Sequence, residues 1–179
     1  MDAHGGLRIH PLSENEPRER FVCVEHPALE DFIRTKALRS QVEGYGRTFV
    51  LSGTLEGQPS ILGYYTLVAT AVTREIVPKK QRHGTPGQIP VALIGRLAVD
   101  DRSQRQGHGK RLLLDALERA YAVSREVGLY AVIVDAKDET AESFYLRYGF
   151  EPMPLSSGFP KRLYLKMETI EALVLGSDE

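Results

Sequence analysis

The stretch Val99-Asp100-Asp101-Arg102-Ser103-Gln104-Arg105-Gln106-Gly107-His108-Gly109-Lys110-Arg111-Leu112-Leu113-Leu114 decides how this chain folds. Ahead of it, Val91 to Val99 is a nearly continuous apolar run that reads as a buried strand, interrupted by Gly95 and Arg96. A glycine inside a strand marks a bulge or a close backbone approach. Behind it, Leu113, Ala116, Leu117, Ala120 and Tyr121 hold the 3.6-residue period of a helix from about Lys110 to Val127, ended by Gly128. A strand therefore turns into a helix through a Gln- and Gly-rich corner. Glycines at such a corner let main-chain N–H groups face outward without Cβ obstruction. The helix N-terminus adds unpaired donors and positive dipole potential, which suits a pyrophosphate. Arg102, Arg105, Lys110 and Arg111 add positive charge. The spacing is neither G-x-G-x-x-G nor G-x-x-x-x-G-K-[ST]. Taken alone, the glycines fit an ordinary loop with solvated arginines equally well.

Working outward, Tyr130 to Ala136 is a buried-strand run, and Asp138 or Thr140 can cap a helix that reaches Tyr148 and stops at Gly149. That helix carries Phe144, Tyr145 and Tyr148, which by themselves read as amphipathic packing. Leu163 to Met167 is a last strand, and Thr169 to Leu175 a short terminal helix that either docks on the domain or offers a partner surface. Upstream, Leu7 to Ile9 begins a first strand. Leu29, Phe32, Ile33 and Ala37 give an amphipathic helix from Pro27 to about Gln41. Thr48 to Leu55 and Ile61 to Val72 read as an antiparallel pair, followed by the basic Val77 to Gly87 loop. The order is α+β, an antiparallel first half and a strand-helix-strand-helix second half.

The 179 residues, 42% hydrophobic and 26% charged, suit a single domain 1–179 with a core over about 7–167 and a tail over 168–179. This composition excludes a disordered or fibrous chain. One cysteine, Cys23, forms no internal disulfide and reads as a packed thiol, so a cytoplasmic setting is expected. No apolar run approaches a bilayer span, and Met1 to Pro11 lacks a signal-peptide core. His83 has no partners at metal-ligand spacing, so no metal is expected. The formal net charge of −1 disfavours a general nucleic-acid binder, yet Lys79 to Arg111 holds eight basic and two acidic residues, a net of +6. That distribution leaves room for an enzyme with one basic face.

The ordered pair Gln104-x-x-Gly107-x-Gly109, then helix, strand and Phe144-Tyr145-x-x-x-Gly149-Phe150, resembles the GNAT family of N-acetyltransferases over about residues 47–167. The resemblance implies an α/β acyl-CoA N-acyltransferase fold: a mixed, mostly antiparallel sheet flanked by helices, with two splayed strands ending near Val99 and Ala136. Acetyl-CoA is the implied co-substrate. Its pantetheine arm would meet the backbones of Leu97, Ala98 and Val99, and its pyrophosphate the loop Gln104, Arg105, Gln106, Gly107, His108, Gly109 and Lys110. Asp135 and Phe144 would lie beside the cofactor, and Tyr145 would be the general acid that protonates the departing thiolate. A phenol of pKa about 10 is close enough to a thiol of about 8.5 for that transfer.

Phe21-x-Cys23, Leu29-x-x-Phe32-Ile33, Gly63-Tyr64-Tyr65-Thr66-Leu67, the basic loop after Pro78 and Arg96-Leu97-Ala98-Val99-Asp100 are similar to the acetyltransferase toxins of toxin–antitoxin pairs. Val24 departs from that pattern, which has glycine there. This resemblance implies acetylation of the α-amine of aminoacyl-tRNA, a ribbon-helix-helix antitoxin as partner, and a homodimer. Many acetyltransferases of the broader family carry a glutamate base on the strand before the glycine loop. Here Val91 to Val99 carries no carboxylate, only Arg96. A lysine ammonium of pKa about 10.4 needs such a base, whereas an α-amine begins near 7.7–8.0 and an adjacent ester lowers it further. The missing base favours the α-amine. The alternatives are acetylation of a small amine or a protein N-terminus, and an idle acyl-CoA-binding or interaction module.

An arginine inside a buried strand ordinarily pairs with an acid, so Arg96 is expected on Asp135 or Asp100, the alternative being the RNA acceptor end or the substrate carbonyl. Lys79, Lys80, Arg82 and His83 read either as a solvated loop or as phosphate contacts for a tRNA acceptor stem.

Overall fold

In the computed structural model the described residues are 6–154 and 156–176. The signal-peptide reading of Met1 to Pro11 therefore lies outside the described residues over positions 1–5, as does the end of the 168–179 tail beyond Gly176.

The strands are β1 (Arg8–Pro11), β2 (Arg47–Leu55), β3 (Gln58–Thr73), β4 (Gln88–Val99), β5 (Ala131–Ala136), β6 (Glu151–Pro152) and β7 (Lys161–Lys166). They form one sheet in the order β1-β2-β3-β4-β5-β7-β6. Pairs β1–β2, β2–β3, β5–β7 and β6–β7 are antiparallel, and β4–β5 is parallel. The helices are α1 (Pro27–Asp31), α2 (Ala37–Val42), α3 (His108–Ser124), α4 (Glu139–Leu146) and α5 (Met167–Gly176). A π-helical turn, Phe32–Lys36, joins α1 to α2. The mixed, mostly antiparallel sheet with helices is the expected architecture. Two compact units divide the chain: residues up to Val68 with Gly95–Ala116, and Ala69–Ile94 with Leu117 onward.

In the first unit, alternation along β3 sorts the residues by face. Tyr64 joins Phe21, Phe32, Ile33, Ala37, Val50 and Ala98 in one buried cluster, so α1, the π turn and α2 cover that face. Gly63 and Tyr65 point the other way. The Tyr65 hydroxyl donates to Asp115 at 2.5 Å, and a Cβ on Gly63 would stand 2.7 Å from Leu112 Cδ1, so the first half of α3 covers this face. The Leu51/Ser52 register shift opposite β3 is a bulge that the alternating pattern does not announce. Cys23 is buried, as expected of a packed thiol.

In the second unit Val72, Ile76, Val77, Ile89, Val91, Ala131 and Ile133 form the core. Helix α4 packs on β5 and β7, and α5 on β7 with Ile170 fully buried. The terminal segment Thr169 to Leu175 thus docks intramolecularly, while Leu173 and Leu175 stay exposed. No described helix is long and apolar enough to cross a membrane.

Candidate functional site

The strand-to-helix corner lies in the first unit. Helix α3 starts at His108, two residues before the expected Lys110, because Gly107 at φ 80° turns the chain early. A Cβ on Gly107 would meet nothing within 4 Å, so glycine is required by conformation and the space above it is open. Arg105 is also left-handed, at φ 61°. Left-handed residues thus stand at 105 and 107, either side of Gln106, just ahead of the helix N-terminus. The first backbone bond spanning the corner runs from Arg111 N to Gly107 O at 3.1 Å. The N–H groups of His108, Gly109 and Lys110 precede it and have no acceptor one turn back in the helix.

His108 is 5% exposed, and its Nε2 is buried without a hydrogen-bond partner. Burial, then the Arg111 charge, holds its imidazole below the ordinary histidine pKa, so it is neutral here. Gln104, Arg105, Gln106 and Lys110 are exposed. Open donors, exposed cations and an orphaned polar atom suit a diphosphate.

Asp100 anchors this corner. Its fully buried carboxylate accepts from Val22 N, Arg102 N, Arg102 Nε and Arg102 Nη2, each at 2.9 Å. Burial alone would raise its pKa, but the Arg102 guanidinium and these N–H groups hold it below the usual carboxylate value. Asp101 in turn accepts from Val24 N at 2.8 Å and from Gln104 Nε2 at 3.2 Å. The sequence reading missed Asp100 as an anchor. A buried acid directly after a buried strand was the available signal.

The expected pairing of Arg96 with Asp100 or Asp135 is corrected by the structure. Asp100 is taken by Arg102, and Asp135 by Arg162 through Oδ1–Nε at 2.7 Å and Oδ2–Nη2 at 2.8 Å. Arg96 lies instead over the Phe32 ring, its guanidinium carbon 3.7 Å from the ring centroid. Arg96 does sit within a strand, but Arg102, two residues from Asp100, and Arg162, the cross-strand partner of Asp135, hold the two acids. Leu97 and Val99 are half-buried and Ala98 is buried.

Tyr145 lies in the second unit, on α4. The Asp138 carboxylate caps that helix by accepting from Ala141 N at 2.8 Å. The helix ends at Leu146, two residues before the expected Tyr148, and turns carry the chain to Gly149 at φ 88°. Tyr145 is 8% exposed and packs on Phe150 and Phe144 with centroids 5.4 Å and 5.2 Å apart. Burial, then the Asp135 charge, pushes its phenol well above the ordinary tyrosine pKa. The ladder between β4 and β5 runs from Val91↔Ala131 to Ile94↔Val134, while β4 continues to Val99.

The basic loop divides by role. Arg82 donates to Val77 O at 2.7 Å and to Glu75 O at 2.9 Å, closing the loop on itself. Lys79, Lys80 and His83 are exposed. Among the described residues no cluster of three His, Cys, Asp or Glu could hold a metal.

Comparison with known proteins identifies the family. Residues 28–168 match the acetyltransferase (GNAT) domain family. A tRNA-acetylating toxin of Mycobacterium tuberculosis (strain ATCC 25618 / H37Rv) is 35% identical over 148 residues, 83% of this chain and 85% of that protein. The solved structure of AtaT complexed with acetyl-methionyl-tRNAfMet aligns with TM-score 0.82 and 30% identity, covering 94% of this chain and 99% of that one. A mutant AtaT toxin bound to the C-terminus of the antitoxin AtaR and acetyl-CoA aligns with TM-score 0.76 and 29% identity, covering 94% and 98%. The chain belongs to the GNAT family and is an acetyl-CoA-dependent N-acetyltransferase.

Proposed function

We propose that this GNAT acetyltransferase is the toxin of a toxin–antitoxin pair and transfers acetyl from acetyl-CoA to the α-amine of an aminoacyl-tRNA. The observation that carries the choice of acceptor is the commitment of the carboxylates beside the two strand ends. Asp100 holds Arg102 and two backbone N–H groups, Asp101 holds Val24 N and Gln104, and Asp135 holds Arg162. None is left to deprotonate a lysine-like ammonium. An α-amine next to an ester needs no strong base, since its pKa lies below about 8. The acetyl-tRNA bound to AtaT and the activity named for the mycobacterial relative support the same acceptor.

In this reading, residues 104–110 bind the pyrophosphate of acetyl-CoA and the backbones of Leu97, Ala98 and Val99 hold its pantetheine arm. Phe144 and the backbone of Asp135 border the cofactor. The neutral amine adds to the thioester carbonyl and loses its proton to water. Backbone N–H donors stabilise the oxyanion. As the C–S bond breaks, the Tyr145 hydroxyl gives its proton to the thiolate and regains one from solvent. Its raised pKa keeps it protonated at neutral pH. Burial raises a thiolate's proton affinity as well, which preserves the match between donor and acceptor. Lys79 and Lys80 contact acceptor-stem phosphates, with Arg82 closing the loop that carries them. The partner is a ribbon-helix-helix antitoxin, the active species a homodimer, and the setting cytoplasmic.

The test is incubation with labelled acetyl-CoA and total charged tRNA. Label should enter the RNA and leave with the aminoacyl group on mild alkaline ester hydrolysis. Release of CoA with a polyamine or an N-terminal peptide, and none with charged tRNA, would instead select the small-amine or protein N-terminus reading.

A further inference from the structure

Among the described residues, Arg96 is a half-buried cation with no anion paired to it. Its guanidinium forms no hydrogen bond and no ion pair there; it lies over the Phe32 ring, with the Tyr64 hydroxyl feeling its charge. Half-buried arginines are ordinarily neutralised. The acids on the surrounding elements are all taken: Glu30 by Arg34 Nη1 at 2.9 Å and Cys23 N at 2.9 Å, Asp31 by Lys36 at 2.6 Å, and Asp100 by Arg102. The shelf beneath Arg96 is held firmly. Phe32 is 5% exposed and opens the π turn, a distortion frequent at functional sites. It stacks on Tyr64 with centroids 6.2 Å apart, and the Tyr64 hydroxyl donates to Leu29 O at 2.6 Å. A guanidinium resting on a ring keeps its N–H fork free for two oxygens of one oxyanion.

We propose that Arg96 is a specificity-determining residue that grips the phosphate nearest the acceptor amine. The inference rests on the aminoacyl-tRNA reading above. Arg96 directly precedes Leu97 to Val99, the backbone assigned to the thioester arm, and strand alternation puts its side chain on the face opposite Leu97. An oxyanion beside the reacting amine comes from one of two sources. In a free amino acid it is the α-carboxylate. In an aminoacyl ester that carboxylate is gone, and the terminal phosphodiester supplies it. Phosphate is the source consistent with the acceptor proposed here.

The experiment compares wild type, Arg96→Met and Arg96→Lys on charged tRNA, on aminoacyl-adenosine, which lacks phosphate, and on the free amino acid. Arg96→Met should raise KM for charged tRNA about tenfold or more, with a much smaller change in kcat. Its log–log salt slope should flatten by about 0.7, the value for one single-strand phosphate contact. Loss on aminoacyl-adenosine should be several-fold smaller. Arg96→Lys should restore the slope but not the KM. Equal loss on charged tRNA and aminoacyl-adenosine, or the largest loss on the free amino acid, overturns the phosphate assignment. So does an unchanged KM in Arg96→Met while wild type acetylates charged tRNA. Wild type that labels no charged tRNA instead overturns the parent reading. Acetyl-CoA affinity and melting temperature, measured on each variant, separate misfolding from both.

Discussion

Arg102 closes both of its arms on Asp100, Nε to Oδ1 and Nη2 to Oδ2, each at 2.9 Å, with the carboxylate wholly removed from solvent. The same guanidinium donates to Arg20 O at 2.6 Å, so one pair ties the end of β4 to the segment before α1. Removing the cation leaves a buried charge uncompensated. Arg102→Ala should therefore cost about 3 kcal/mol, measured by urea unfolding. A change below about 1 kcal/mol would mean that the backbone N–H donors alone satisfy Asp100.

The same carboxylate gives an acid limit. Its pKa is depressed on folding, so its contribution is complete above the unfolded value near 3.9 and is lost as pH falls through the lower folded value. His108 acts at higher pH. Its folded pKa is also depressed, so the unfolded state binds more protons once pH falls below about 6.5, and stability drops. Midpoints measured from pH 7.5 to 5.5 should decline in wild type and stay flatter in His108→Gln. Parallel curves would show that His108 titrates alike in both states.

Much of this fold is legible in the sequence because its signals are local. The 3.6-residue period of Leu113, Ala116, Leu117 and Ala120 places α3, and Glu56-Gly57 marks the β2–β3 hairpin, where both residues take positive φ. Asp138 announces its own helix. What stays hidden depends on competition across the fold. Arg96 lost both expected acids to Arg102 and Arg162, and nothing in its neighbours along the chain predicts the Phe32 ring. The π turn is equally silent, since Leu29, Phe32, Ile33 and Ala37 read as one uninterrupted helix. Around the candidate site, the turn at Gly107 and the helix carrying Tyr145 are legible in the sequence, whereas the anchoring role of Asp100 is visible only with its partners.

Tyr145→Phe removes one hydroxyl from a packed aromatic cluster and should leave melting temperature and acetyl-CoA affinity close to wild type. Turnover should fall about 100-fold, the usual contribution of a positioned general acid. Because burial raises the phenol's pKa, wild-type kcat should show no alkaline loss between pH 7 and 9.5. Full turnover in the Phe variant would remove Tyr145 from the mechanism.

The basic loop separates structure from binding within four residues. Arg82→Ala should lower the melting temperature, because Val77 O and Glu75 O lose their donor. Lys79→Ala and Lys80→Ala should leave stability within about 0.5 kcal/mol, as for exposed side chains. Each should flatten the salt dependence of tRNA affinity by about one unit on a log–log plot. Unchanged slopes in both lysine variants would return the loop to the solvated reading.

Gly63 tests the strand that holds the thioester arm. A Cβ there would stand 2.8 Å from Ala98 O and 2.7 Å from Leu112 Cδ1. The leucine can shift, but the carbonyl belongs to β4 and can move only with its strand. Gly63→Ala should cost about 2 kcal/mol by overpacking. It should also weaken acetyl-CoA binding, because the displaced backbone is that of Leu97 to Val99. Gly57→Ala is the control. It meets open space, and its penalty of about 1 kcal/mol comes from its φ of 73° alone. If calorimetry gives the two variants the same acetyl-CoA affinity, the end of β4 does not hold the pantetheine arm.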